Sequence, residues 1–264
     1  MSEDSETMLE LQSAADALGV HYQTAYRWVR SGRLPAQLTG GKYLVSSADI
    51  AKVGASRNRP QAPAVPSSAR LVRQSERMHE ALLAGDEFGA RKIARRLVDE
   101  GTTIVDLIER VISPPLCAIG QAWHDGNLTI WVEHRASAII ERVLGDLLPN
   151  PRGRRRGTVV VTAISGDLHS LPTTMAAVAL REAHWYVHHL GADLPGEELI
   201  DFCATHDEVD VAVISVTDVG AAAGAEEVAE KIRASGTPTL VGGPGKTLAG
   251  LIDDVQHAAD SRRS

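Results

Sequence analysis

Thr158-Val159-Val160-Val161-Thr162-Ala163-Ile164, followed after Ser165-Gly166 by Asp167-Leu168-His169, decides the fold of the C-terminal half. An unbroken apolar and β-branched run closed by a turn reads as a strand buried on both faces. Two further runs of this kind, 209–214 and Thr239-Leu240-Val241, alternate with amphipathic segments at 173–184, 196–206 and 222–235. That alternation predicts a doubly wound parallel sheet of flavodoxin-like type over residues 158–264. Such sheets present their ligands at the carboxyl ends of the strands, where Asp167 and His169 stand. A histidine that binds a metal through one ring nitrogen commonly gives its other N–H to a carboxylate, which fixes the tautomer. Asp-x-His supplies both parts, although the same residues also read as a turn carboxylate beside a surface imidazole.

Upstream, segments 70–84, 87–100, 103–122 and 129–148 place apolar residues at helical spacing, for example Ile104, Leu107, Ile108 and Val111. Four such helices with short loops predict a bundle over 70–149. Pro114-Pro115 in the third should kink or interrupt it. Residues 54–69 are rich in Pro, Ser and Ala without amphipathic period, so 58–69 is expected to be a linker. A shorter break at 150–157 carries Arg154-Arg155-Arg156, a solvated linker or a phosphate contact.

Residues 1–57 form a third module. Leu11 to Arg30 reads as a short helix, a glycine-containing turn and a second helix, with Ala14, Ala15, Leu18, Val20, Ala25 and Val29 as packing positions. Thr39-Gly40-Gly41-Lys42-Tyr43-Leu44-Val45 reads as a small β-wing, and a helix should follow from about Ser47 to Val53. This order resembles the MerR/excisionase winged helix, which implies operator DNA as partner. Gln23, Thr24, Arg27, Arg30, Lys42 and Tyr43 are the expected DNA-facing residues, with Arg33 beside them. Cations would neutralise phosphates, and Gln23 or Arg27 would meet base edges. A solvated basic face is the alternative.

The whole chain is acidic, with net charge −7 over 264 residues and a pI near 5.8, which argues against indiscriminate coating of nucleic acid. Cys117 and Cys203 are its two cysteines, so neither a disulfide framework nor cysteine-based zinc spacing is present. The amino terminus is acidic and polar, and no apolar run reaches membrane-spanning length. The expectation is a cytoplasmic protein without membrane contact.

Gly120-Gln121-Ala122-Trp123-His124-Asp125-Gly126-Asn127-Leu128-Thr129-Ile130-Trp131-Val132-Glu133-His134 reads as a helix end, a glycine turn and a new helix that brings Trp123 near Glu133 and His134. A large ring beside polar groups suits a ligand with an aromatic base and hydroxyls. Core packing of Trp123 and a solvated His124 are the plain alternatives.

Asp167-x-His169, Ser215-Val216-Thr217 and Gly242-Gly243, in this order, resemble the cobalamin-binding signature of methionine synthase, corrinoid methyl carriers, some mutases and a class of light regulators. The resemblance implies that His169 is the lower axial cobalt ligand and Asp167 its orienter. Ser215, Gly242 and Gly243 would line the slot for the nucleotide tail, with Thr217 beside them. One position departs from the pattern: Pro172 stands where the family has glycine. Proline is tolerated in the first turn of a helix, but it lacks the close approach that glycine permits, which bears on cobalamin affinity.

Trp-His followed by Glu-His in a bundle ahead of such a domain resembles the CarH/LitR-type light-sensing repressors over nearly the whole chain. The resemblance implies that Trp123, Ile130, Glu133 and His134 enclose the adenosyl group of adenosylcobalamin. It makes His124 the upper cobalt ligand after light. It further implies a homo-oligomer, a tetramer in darkness and a dimer after illumination, that represses transcription and is not an enzyme. The competing readings are a corrinoid methyl carrier of a methyltransferase system and a DNA-binding regulator that has lost cobalamin or uses another ligand.

Overall fold

The computed structural model describes residues 8–18, 20, 22–30, 32, 34–58, 67–147, 149–151 and 153–263; the side chains of 23, 24, 27, 30 and 54–58 lie outside that description. The chain divides into two compact units, Met1–Ala64 and Val65–Ser264.

In the first unit, strand β1 (Met8–Glu10) leads into helix α1 (Leu11–Ala17), then α2 (Tyr22–Arg30), β2 (Gln37–Thr39), β3 (Lys42–Ser46) and α3 (Ser47–Asn58). β2 and β3 form an antiparallel hairpin around Gly40-Gly41, both with positive φ as a tight hairpin turn requires. β1 pairs with the other edge of β3, giving the order β1-β3-β2. Leu11, Ala14, Ala15, Leu18, Ala25, Leu34, Val45 and Val53 make the core, with Val20 and Val29 packed against it. The expected packing positions are thus the observed ones. α3 continues to Asn58, beyond the expected end at Val53.

The second unit joins a helical bundle to a sheet. The bundle comprises α4 (Ser68–Ala84), α5 (Glu87–Asp99), α6 (Ile104–Leu107), a π-helical turn (Ile108–Ile112), α7 (Ser113–His124) and α8 (Ile130–Gly145). Asp86 caps α5 by accepting from Gly89 N, and Thr103 caps α6 by accepting from Asp106 N. Pro114 and Pro115 cannot donate to carbonyls one turn earlier, and the wider turn at 108–112 absorbs that loss without ending the helix.

β4 (Thr158–Ile164), α9 (Ser170–Glu182), β5 (Tyr186–Leu194), α10 (Gly196–Thr205), β6 (Val211–Ser215), a short 3₁₀ turn (Val219–Ala221), α11 (Ala222–Ala234), β7 (Thr239–Gly242) and α12 (Leu248–Arg263) complete the unit. All strand pairs are parallel, in the order β5-β4-β6-β7. The side-chain alternation of β4 feeds two cores. Val159 and Val161 pack with α9 and α12, while Val160 and Ile164 pack with α10 and α11. The sheet is therefore covered on both faces, as its apolar strands require.

The bundle docks on α9, whose Val178 is buried in the bundle core while Ala176, Ala177 and Leu180 face the sheet. Residues 150–157 do not separate two bodies. Asn150 bonds to both the N–H and the carbonyl of Val187 on β5, Arg155 lies over the Tyr186 ring at 4.9 Å, and Arg156 donates to Gln256. Both cysteines are free, and burial pushes the Cys203 thiol up to about 11. Among the described residues no helix is long and apolar enough to cross a membrane.

Candidate functional site

The sheet order places the site. After β4 the chain turns to β5 on one side, and it later returns to β6 on the other side of β4. The carboxyl ends of β4 and β6 therefore flank a topological switch point, where open α/β sheets bind ligands. Asp167 leaves β4 and Thr217-Asp218 leave β6 at this point.

Asp167 is buried, and its carboxylate joins the two loops. Oδ2 accepts from Thr217 N at 2.5 Å and Asp218 N at 3.1 Å; Oδ1 accepts from His169 N at 3.1 Å and from the His169 ring Nδ1 at 2.7 Å. Burial alone would raise its pKa, but the N–H groups of Thr217 and Asp218 and the His169 ring outweigh it and hold the carboxyl below its ordinary value. With Nδ1 turned to Asp167, Nε2 is the ring nitrogen left for a metal. The His169 side chain is 55% exposed, so that nitrogen is accessible.

The residues fit a corrinoid on three observations. One imidazole with a carboxylate behind it is the donor set, and among the described residues no group of three or more His, Cys, Asp or Glu is placed to hold a metal. Such a site suits a metal whose remaining ligands come with a macrocycle. Leu168 and Val219 are 74% and 82% exposed, each one residue beyond the Asp167 to Asp218 contact, and give the edge an apolar rim. Finally, a Cβ built on Gly242 meets nothing within 4 Å, so a gap opens at the end of β7.

Gly243 differs from Gly242, since its Cβ would lie 2.9 Å from the Val216 carbonyl. Gly243→Ala is therefore expected to destabilise the fold by about 1–3 kcal/mol through overpacking. Gly242→Val should leave the melting temperature nearly unchanged yet fill the open gap and weaken cobalamin binding by roughly tenfold or more. Melting curves and binding titrations of both variants check this; equal affinity of Gly242→Val and the parent chain would remove Gly242 from the slot.

Ser215 is half-buried at the end of β6, and Thr217 contributes through its backbone amide. Pro172 lies in the first turn of α9, where no intrahelical donor is needed. Asp218 was not legible as a site residue: its amide holds Asp167, and its side chain accepts from Gly220 N to start the 3₁₀ turn.

The path of α8 sets the bundle over this edge. Glu141 accepts from Ser170 Oγ at the carboxyl edge, and Asn150, further along the chain, reaches the start of β5 at the opposite end. The first two turns of α8 consequently project beyond the carboxyl edge. Ile130, Glu133, His134, Ser137 and Glu141 recur at helical spacing on that face, and Glu133 lies about 12 Å along the axis from Glu141. The opposite face, Val132, Ala136, Ile139, Ile140 and Val143, is buried in the bundle.

Glu133 accepts from Ser137 Oγ at 2.7 Å and from His134 Nδ1 at 2.8 Å. Trp123 and Ile130 are 43% and 47% exposed, so the ring is not a core aromatic. His124 ends α7, exposed, before the turn at Gly126, whose φ is +75°. Trp131 points elsewhere, with Arg135 5.0 Å from its ring centroid. A separate hollow between α4 and α5, lined by Arg77, Glu80, Lys92 and Arg96, holds none of these residues.

In the N-terminal unit, Gln23, Thr24, Arg27 and Arg30 lie on α2, the second helix of the helix-turn-helix, but their side chains are outside the described residues, as is Arg33 entirely. Lys42 pairs with Glu10 across the small sheet at 2.6 Å, which raises its pKa. Tyr43 is half-buried and packs edge-on against Tyr26 at 5.8 Å.

Residues 74–147 match a family described as a B12 binding domain, residues 157–257 match a second family of that description, and residues 8–53 match a helix-turn-helix domain family. A corrinoid protein of Desulfitobacterium hafniense (strain Y51) is 23% identical over 148 residues, 54% of this chain and 67% of that protein. Two HTH-type transcriptional repressors of Myxococcus xanthus are also similar. CarH is 29% identical over 129 residues, covering 47% of this chain and 43% of CarH. CarA is 27% identical over 267 residues, covering 90% of this chain and 87% of CarA. The monomethylamine corrinoid protein of Methanosarcina barkeri shares the fold, with a TM-score of 0.52 at 15% identity over 70% of this chain and 94% of that one. A helix-turn-helix domain thus precedes two B12 binding domains in a single chain, an architecture consistent with the CarH-type regulators.

Proposed function

We propose that this chain is a cobalamin-dependent, light-responsive transcriptional repressor. The observation that carries the reading is the presence in one chain of a helix-turn-helix domain and an Asp167-oriented His169 at the switch point of the sheet. Adenosylcobalamin, when bound, supplies a cobalt–carbon bond that light cleaves. His169 would hold the cobalt through its second ring nitrogen, with Asp167 fixing the tautomer and orientation of the imidazole. Ser215 and Gly242 leave room for the nucleotide tail, and Gly243 lets the neighbouring backbone close. Trp123 and Ile130 would offer apolar surface to the adenosyl group and exclude water, while Glu133, fixed by Ser137 and His134, would accept hydrogen bonds from it. His124 holds an exposed imidazole at the end of α7 and would serve as a second nitrogen ligand once light has removed the adenosyl group. A dark-state oligomer, a tetramer, would gather several weak DNA readers and raise their affinity through effective concentration, so its dissociation releases DNA without altering any DNA contact.

The test is selection from a random duplex pool with the loaded chain in darkness, followed by binding and size-exclusion measurements before and after illumination. We expect an enriched sequence, a large dark assembly, and a light-driven fall in affinity of about tenfold or more. His124→Ala should bind cobalamin normally in the dark but give an unstable photoproduct. Light-insensitive assembly and DNA binding would overturn the light response. Retained cobalamin without any enriched DNA would favour the methyl-carrier reading, which the similarity to corrinoid proteins raises.

A further inference from the structure

Three carboxylates tie the bundle to the sheet domain. Glu182 accepts from Ile104 N at 2.8 and 2.9 Å, Glu109 accepts from Leu248 N at 2.6 Å, and Glu141 accepts from Ser170 Oγ. The first two meet backbone amides in the first turns of α6 and α12, where a carboxylate satisfies an orphan helix donor. The third differs in place and kind. It joins two side chains, and Ser170 directly follows His169.

Ser170 is itself fixed from below. Its carbonyl accepts from Thr173 Oγ1 at 2.6 Å, and that hydroxyl also bonds to His189 Nε2 on β5 at 2.8 Å. The first turn of α9 is thus anchored to the sheet through Thr173 and to the lid through Glu141. On α8, Glu141 lies one turn beyond Ser137, which holds Glu133. Glu133, Ser137 and Glu141 thus follow one another at one-turn spacing along α8, and the last of them meets the residue beside His169. Since α8 buries its other face in the bundle core, the backbone of Glu141 moves only with the helix.

We propose that Glu141 is a positioning residue which, through Ser170, couples the place of lid helix α8 to the orientation of His169. The inference rests on the cobalamin reading of His169. Displacing the bundle pulls on the turn that carries the lower ligand, and ligation by His169 in turn holds the lid.

The test compares four substitutions in the full-length chain. Ser170→Ala and Glu141→Ala remove the bridge, whereas Ser170→Thr keeps the hydroxyl and Glu141→Gln keeps an acceptor oxygen. With adenosylcobalamin in darkness, both alanine variants should bind about tenfold more weakly, the loss of one half-buried hydrogen bond to a charged group, and a larger share of the bound form should show the absorption spectrum of cobalamin without a protein nitrogen ligand. The two conservative variants should restore both. Without cobalamin, hydrogen exchange of the α8 amides should quicken in the alanine variants and not in the conservative ones. Unchanged spectra in the alanine variants would overturn the coupling, whether or not exchange changes, because faster exchange alone marks a bridge that only stabilises the lid. If the parent chain retains no cobalamin, the cobalamin reading itself fails, and unchanged exchange in the alanine variants would then dispose of the bridge as well.

Discussion

His169→Ala is expected to cost at least about a hundredfold in cobalamin affinity while leaving the fold intact. Loss of an outer-shell partner of a metal ligand already costs about 10–100-fold, and this substitution removes the proposed ligand itself. The fold survives because the imidazole is largely exposed and the amides of Thr217, Asp218 and residue 169 still satisfy Asp167. Binding and stability therefore separate. A titration followed by absorption, together with a melting curve, measures both. Unchanged affinity and spectrum would place the cobalt ligand elsewhere, and a large drop in melting temperature would mean that His169 serves the fold.

Asp167→Ala should show the converse coupling, damaging both. Its removal leaves the amides of Thr217 and Asp218 facing a buried gap, and each stranded donor costs about 1–3 kcal/mol. A loss near 3 kcal/mol is expected in urea unfolding at neutral pH. Asp167→Asn, with one acceptor oxygen and no charge, should lie between the two. The sign of the pH effect follows from the carboxyl being held below its ordinary value by the Thr217 and Asp218 amides and the His169 ring, despite burial. Its stabilisation is fully present above the ordinary carboxylate pKa and fades as pH falls through the depressed folded value. The advantage of the parent chain over Asp167→Asn should therefore be complete near pH 7 and shrink in acid below about pH 4. A constant difference from neutral to acid would show that the carboxylate charge contributes nothing.

Much of this arrangement was readable from the chain because its signals are local. β4 is a continuous apolar run, and Asp167 and His169 follow it within one turn. The winged helix announces itself through the alanine-rich first helix and the Gly40-Gly41 turn. β5 carries a weaker signal. It is an edge strand carrying His188, His189 and Asp193, with positive φ at Gly191 and Asp193 and shifts in its register against β4, so no apolar run marks it. α12 has a faint apolar stripe, because only Val255 and Ala259 of it are buried. β1 is a strand of three residues whose existence depends on pairing with β3 far along the chain.

The union of bundle and sheet was illegible for another reason. It depends on single polar residues, Glu109, Glu141 and Glu182, each meeting a partner remote in sequence, and periodicity carries no trace of such pairs. Thr217 shows a related limit. It meets Asp167 through a backbone amide that any residue except proline would supply.

The most direct test of the central claim is the visible spectrum of the full-length chain mixed with adenosylcobalamin in darkness, desalted, and then illuminated. The account predicts that cobalamin remains with the protein in near-equal amount, bears a protein nitrogen ligand, and changes spectrum on illumination. A colourless protein after desalting would contradict it, and would leave the Asp167–His169 pair as a turn carboxylate beside a surface imidazole.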